Sequence, residues 1–387
     1  MDTPSTGIQV EGVCERRFDG VKSLLQSFLD SSEELGASIV INVDGKDVVD
    51  IWGGYADAER MRKWEKDTIT NVWSTSKLIS SFAVLKLISR GLLSPTEKVA
   101  TYWPEFGVNG KENIEVRHIL SHSSGVSGWE KKMSIDDIYD VPTATALLAQ
   151  QKPFWEPGTA SGYHSITFGH LIGELVRRTS GKTLEEFITE EIAAPVGADF
   201  RLGAAEKDWS RIADLVPPPN PAGPLSISPD SIPAKSMGNP PVDGKIASTP
   251  EWKRAKLGAV NGHGNARGVA RILSAISCGG YRGQQQILTS AAVDMIFEQQ
   301  TCGRDLVVGE NLSFGIGFGL NVRGMDTDWL PEGKICFWGG WGGSFVVMDL
   351  DRRVTIAYIM NKMEMVGLGN NRTKAYIAAA YEALREL

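Results

Sequence analysis

Ser74 and Lys77 stand three residues apart in Asn71-Val72-Trp73-Ser74-Thr75-Ser76-Lys77, where an apolar, strand-like stretch runs into a strongly helical one. Residues at that spacing share one helix face, so the lysine nitrogen can reach the serine hydroxyl. An ammonium there lowers the proton affinity of whatever base serves the hydroxyl, which makes Ser74 a candidate nucleophile, and acyl transfer is the chemistry it serves. The spacing alone does not single it out, because about one S-x-x-K match is expected by chance in a chain this long. An N-capping serine followed by a solvated lysine is the plain alternative. The apolar run on each side leaves that lysine little water to reach, which favours the nucleophile.

The elements that must position the pair follow from pattern. Leu78, Ile79, Phe82, Ala83, Val84, Leu85, Leu87 and Ile88 wrap nearly all round a helix that Gly91 can cap, so this helix is expected to be buried. Its first turn leaves N–H groups without intrahelical partners, and Ser74 sits at that end. Before it, Phe18 to Leu35 carries a helical stripe, and Ala37–Val43 and Asp47–Trp52 are β-rich runs joined by Asp44-Gly45-Lys46, a hairpin signal. After it, helices are predicted over 116–121, 144–150, 166–179, 266–277, 290–299 and 373–387, and strands over 313–322, 334–338, 344–350 and 354–360. Between 215 and 244 closely placed prolines, from Pro217-Pro218-Pro219 to Pro240-Pro241, exclude regular structure and suggest either a wall or lid of a substrate pocket or a surface excursion. One antiparallel sheet assembled from both chain ends and flanked by helices is expected, an α/β (α+β) fold over 1–85 and 311–387, with a mostly helical domain inserted at 86–310.

Composition narrows the function. The chain has 387 residues, 42% hydrophobic and 22% charged, with a net charge of −7 and no block of lysine and arginine, so nucleic acid and anionic membrane are not expected partners. The first residues lack a signal pattern and no apolar run reaches a membrane span, which makes a cytoplasmic location the expectation. Cys14, Cys278, Cys302 and Cys336 are scattered, and the five histidines form no H-E-x-x-H, so neither a zinc site nor a disulfide framework, and no cofactor, is expected. Glu185-Glu186 and Glu190-Glu191 read as a solvated helix face.

In order along the chain, several stretches resemble the serine β-lactamase and penicillin-binding-protein superfamily, in particular its class C-like (family VIII) carboxylesterases and related acyltransferases. Ser74-Thr75-Ser76-Lys77 is similar to the first catalytic motif, Val116 to Gly125 to "VRHLLTHTSG", and Glu156-Pro157-Gly158-Thr159 with Tyr163-His164-Ser165 to "PGT…YSN". The resemblance implies a β-lactamase/transpeptidase-like fold and makes Tyr163 the general base. Lys77 would tune it, since lowering a phenol from about 10 toward 7 takes roughly 4 kcal/mol, which one ammonium at ~4 Å supplies. The third motif, K-T-G or H-x-G in the family, is matched by Phe337-Trp338-Gly339-Gly340-Trp341-Gly342-Gly343, so Trp338 replaces the basic residue. The W-x-G form resembles the family's carboxylesterases, and a tryptophan cannot pair a substrate carboxylate.

By the same resemblance the backbone N–H groups of Ser74 and Trp341 form the oxyanion hole, while Trp338, Gly339, Gly340, His164 and Ser165 contact substrate. His122 is structural, and Asn261-Gly262-His263-Gly264 lines the pocket. The expected activity is hydrolysis of neutral carboxylic esters through an acyl-enzyme. Transfer of the acyl group to a small-molecule hydroxyl is the nearest rival; a β-lactamase or D-alanyl peptidase fits less well, and a silent binding protein of the same fold is the alternative from another class. A small-molecule ester is the expected partner, and a monomer the default.

Overall fold

The computed structural model describes residues 7–218, 228–365 and 367–385. Among these residues fifteen strands follow in chain order: β1 (Glu11–Cys14), β2 (Gly36–Val43), β3 (Lys46–Gly54), β4 (Ile69–Asn71), β5 (Phe200–Leu202), β6 (Ile212–Ala213), β7 (Gly262–Gly264), β8 (Tyr281–Arg282), β9 (Gln285–Gln286), β10 (Thr301–Arg304), β11 (Asn311–Phe314), β12 (Gly319–Leu320), β13 (Ile335–Gly339), β14 (Phe345–Asp349) and β15 (Val354–Met360). Nine of them form one antiparallel sheet in the order β1-β3-β2-β15-β14-β13-β12-β11-β10. The two chain ends meet where β15 pairs with β2, from Val354 opposite Val43 to Met360 opposite Ala37. The β2–β3 hairpin turns at Asp44 and Gly45, whose φ of 49° and 84° suit the right-handed twist of the flanking strands.

Both sheet faces are covered. On β15, Thr355 bonds Ser277 of the Ala266–Ser277 helix, whereas the Tyr358 ring packs on Tyr376 of the Asn371–Leu384 helix. Residues of opposite parity point to opposite faces, so these helices sandwich the sheet. β4, β5, β6 and β7 form a smaller sheet in the order β5-β7-β4-β6. From β4 the chain passes through Val72 to Thr75 into the Ser76–Ser89 helix, which is buried on nearly every side, and Gly91 closes it in the left-handed region at φ 69°.

Several expectations need correction. The boundaries drawn at 85/86 and 310/311 cut across the sheet layers, since β10 is its edge strand and the Ala266–Ser277 helix packs on its face. The strand expected over 313–322 is broken into β11 and β12 by a turn at Gly315–Gly317, where Gly315 N–H bonds the Phe318 carbonyl. β1 escaped the sequence reading because its alternation is all but exposed. The proline-rich stretch contains a helix, Ile232–Met237, that uses Pro233 in its first turn, where no N–H partner is lost; residues 219–227 lie outside the described residues. No helix among the described residues is long and apolar enough to cross a membrane.

Candidate active site

Ser74 stands at a sharp corner between β4 and its following helix. Trp73, just before it, has φ 46°, a left-handed conformation that costs a bulky residue free energy and is held here by the rings of Trp252 and Trp341 at 5.3 and 5.1 Å. The corner leaves Ser74 partly exposed on a cavity of about 290 Å³, while Thr75, Ser76 and Lys77 behind it are buried. Lys77 Nζ lies 3.1 Å from Ser74 Oγ, 2.7 Å from the Ser165 carbonyl and 3.1 Å from the Ala259 carbonyl. Burial pushes the Lys77 ammonium well below its ordinary value, and no acidic side chain offsets it.

Tyr163 hydrogen-bonds Ser74 and accepts the Trp338 indole N–H at 3.1 Å, its ring lying 5.2 Å from the Trp338 ring. Its backbone N–H donates to Asp305 Oδ1. Burial raises the Tyr163 phenol rather than lowering it, and burial likewise disfavours the charged form of Lys77 that was to do the lowering. Lys77 Nζ stands 4.7 Å from the centre of the Tyr163 ring.

The third segment closes the site from the sheet. β13 ends at Gly339, and a Cβ on Gly340 would come within 2.3 Å of the Val72 carbonyl oxygen and 3.1 Å of Thr75 Oγ1, so only glycine lets this loop approach the serine corner. Trp338, Gly339, Gly340, Trp341 and Ser165 all line the cavity beside Ser74 and Tyr163. Among the described residues neither the Ser74 nor the Trp341 N–H donates to a backbone carbonyl, which leaves both donors for an anion.

Two expected contacts are corrected. His164 is fully buried and turned away, with Nε2 at 2.6 Å from Ser124 Oγ and Nδ1 at 2.7 Å from the Gly162 carbonyl, while its neighbours Tyr163 and Ser165 line the cavity. Asn261 to Gly264 is buried as well, in β7 and the residue before it; its neighbour Val260 lines the cavity instead. His122 packs under Tyr163 at 4.9 Å with Nδ1 accepting the His164 N–H, and burial keeps it neutral. Sequence reasoning missed Glu310, which reaches the cavity from a segment with no motif, whereas Met237 and Val242 line it from the proline-rich stretch at 215–244 that its prolines suggest as a pocket wall. No group of histidine, cysteine and carboxylate side chains that could hold a metal occurs among the described residues.

The profile of the Beta-lactamase family matches residues 21–381. The chain is 29% identical over 374 residues to "Esterase/beta-lactamase LipL" of Mycobacterium tuberculosis, covering 94% of this chain and 85% of that one. It superposes on a family VIII carboxylesterase with a TM-score of 0.91 at 34% identity, covering 97% and 100% of the two chains. A penicillin-binding protein homologue from Caulobacter crescentus gives 0.88 at 32%, again with 97% and 100% covered. The sheet joined from both chain ends, with a serine corner at its margin, is therefore that of an enzyme fold, and the chain belongs to the beta-lactamase family.

Proposed function

We propose that the protein is a serine carboxylesterase acting on esters that carry no carboxylate, neutral carboxylic esters being the simplest. The arrangement round Lys77 carries the reading. A neutral amine has two N–H donors and one lone pair; the Ser165 and Ala259 carbonyls take the donors, which leaves the lone pair for the Ser74 hydroxyl proton. Ser74 Oγ then attacks the ester carbon as its proton passes to Lys77. The oxyanion lies on the Ser74 and Trp341 N–H groups, and the Tyr163 hydroxyl, neutral because burial raises its pKa, donates its proton to the leaving alkoxide. Lys77 restores that proton, and water resolves the acyl-enzyme by the same steps in reverse. Trp338 contributes no cation for a substrate carboxylate; it orients Tyr163. The esterase names among the relatives support this choice of substrate class.

Hydrolysis of p-nitrophenyl butyrate is the test. The Ser74→Ala variant is expected to lose it by at least about a thousandfold, the scale of losing a nucleophile, and intact mass after a fluorophosphonate should place one adduct on Ser74. Undiminished turnover in that variant would remove Ser74 from the mechanism. Transfer to an alcohol is a second outcome of the same intermediate, read as partition to the new ester when an alcohol is added.

A further inference from the structure

The cavity has one ionisable wall that the reaction does not use. Glu310 lines it together with Ser74, while no lysine or arginine does so among the described residues. Its carboxylate rests on the backbone of Gly367 and accepts the Leu368 N–H. The charged groups that act on it, Asp326 and Asp305, are themselves acidic and add to burial in raising its pKa. Asp305 is 1% exposed; its Oδ1 accepts the N–H groups of Tyr163, Val307 and Val308, and its Oδ2 has no partner among the described residues.

Aromatic side chains share the rest of the wall with aliphatic ones. Trp73, Trp252 and Trp341 form a cluster, with Trp338 and Phe345 also on the cavity. A partly buried carboxylate on a cavity that it shares with aromatic side chains and no counter-charge is costly, and an arriving cation removes that cost. Aromatic faces attract the same sign of charge. Two unlike features of one cavity thus select the same ligand group.

We propose that Glu310 and the tryptophan wall form a subsite for an ammonium group on one arm of the ester, as in esters of amino alcohols. The inference rests on the serine-esterase reading for the reacting bond and deepens it for the substrate. Glu310 is not a catalytic residue in it; the carboxylate holds the arm that places the carbonyl over Ser74.

The experiment uses a matched pair of thioesters, S-butyrylthiocholine and its uncharged carbon analogue, 3,3-dimethylbutyl thiobutyrate, with thiol release as the readout. The wild type is expected to favour the cation by about tenfold or more in kcat/KM, the scale of a desolvated cation–π and carboxylate contact. Glu310→Gln keeps an acceptor for the Leu368 N–H but removes the charge. It should abolish the preference by lowering kcat/KM for the cationic thioester about tenfold more than for the uncharged one, and Glu310→Asp should restore part of the preference. No preference in the wild type, or an equal loss on both thioesters in Glu310→Gln, would overturn the subsite and leave Glu310 an anchor for the Gly367–Gly369 loop. If neither thioester is turned over, phenyltrimethylammonium as an inhibitor of p-nitrophenyl butyrate hydrolysis decides: a Ki raised about tenfold by Glu310→Gln supports the subsite, and an unchanged Ki or no inhibition overturns it. Ser74-dependent hydrolysis without charge preference sinks only the subsite, whereas hydrolysis surviving Ser74→Ala sinks the reading beneath it.

Discussion

Lys77 is where the chemistry of the site concentrates. An amine enclosed by two backbone carbonyls and a hydroxyl, with burial as the sole cause of its shift, is poorly placed as a cation and well placed as a base. Its folded pKa lies well below the unfolded value of about 10.4. Between those two values the unfolded chain holds one more proton, so stability falls as pH drops through that window and levels off below the folded pKa. Lys77→Met lacks this slope, and its melting temperature relative to wild type should rise as pH is lowered across the window, in thermal scans at stepped pH. Its kcat should drop by roughly 100- to 10,000-fold, the contribution of a positioned base. Wild-type kcat/KM should climb with pH as Lys77 loses its proton and show no basic limb below about 10, because Tyr163 is shifted upward from that value.

Among the elements, the site is a meeting of three ends: the β4 corner, the segment Tyr163–Ser165 before the Thr167–Ser180 helix and the loop leaving β13. Gly340 sets the approach of that loop, and Trp341 rides on it. Gly340→Ala should displace the Trp341 N–H from the serine corner and lower kcat by roughly 100- to 1,000-fold, the cost of one oxyanion donor, with KM little altered. Circular dichroism unchanged from wild type, with that loss of kcat, would fit a local shift; unaltered kcat would take the loop out of the oxyanion hole.

The whole molecule depends on the joining of its two ends. The Arg372 guanidinium is fully buried against Glu34, donates to the Lys362 carbonyl at 2.6 Å and pairs with Glu364 at 2.8 Å, while the Tyr358 hydroxyl donates to the other Glu34 oxygen at 2.5 Å. This knot ties the start of β2, the centre of β15 and the last helix. Arg372→Leu leaves Glu34 buried and uncompensated and should cost about 3–5 kcal/mol in urea unfolding; adding Glu34→Leu should recover much of it, since a buried pair is dear to break and cheap to replace. A double variant as unstable as the single one would mean that the helix packing, not the orphaned charge, dominates.

Local pattern is enough to encode part of this fold. The all-round apolar run after Lys77 specifies a buried helix, Asp44-Gly45 a tight hairpin, the β-rich segments at 334–360 three adjacent strands, and the ordered motifs the family. The tertiary structure decided everything that depends on which distant backbone surrounds a side chain. The carbonyls that enclose Lys77 lie 88 and 182 residues further along the chain, and its burial is the sum of such distant neighbours. The same holds for Glu310, which has no motif yet faces the cavity, and for His164, which sits inside a motif yet faces Ser124. Periodicity reports how a segment folds against water; the desolvation that tunes a charge, and the direction a loop side chain takes, are summed over neighbours that only the packed chain brings together.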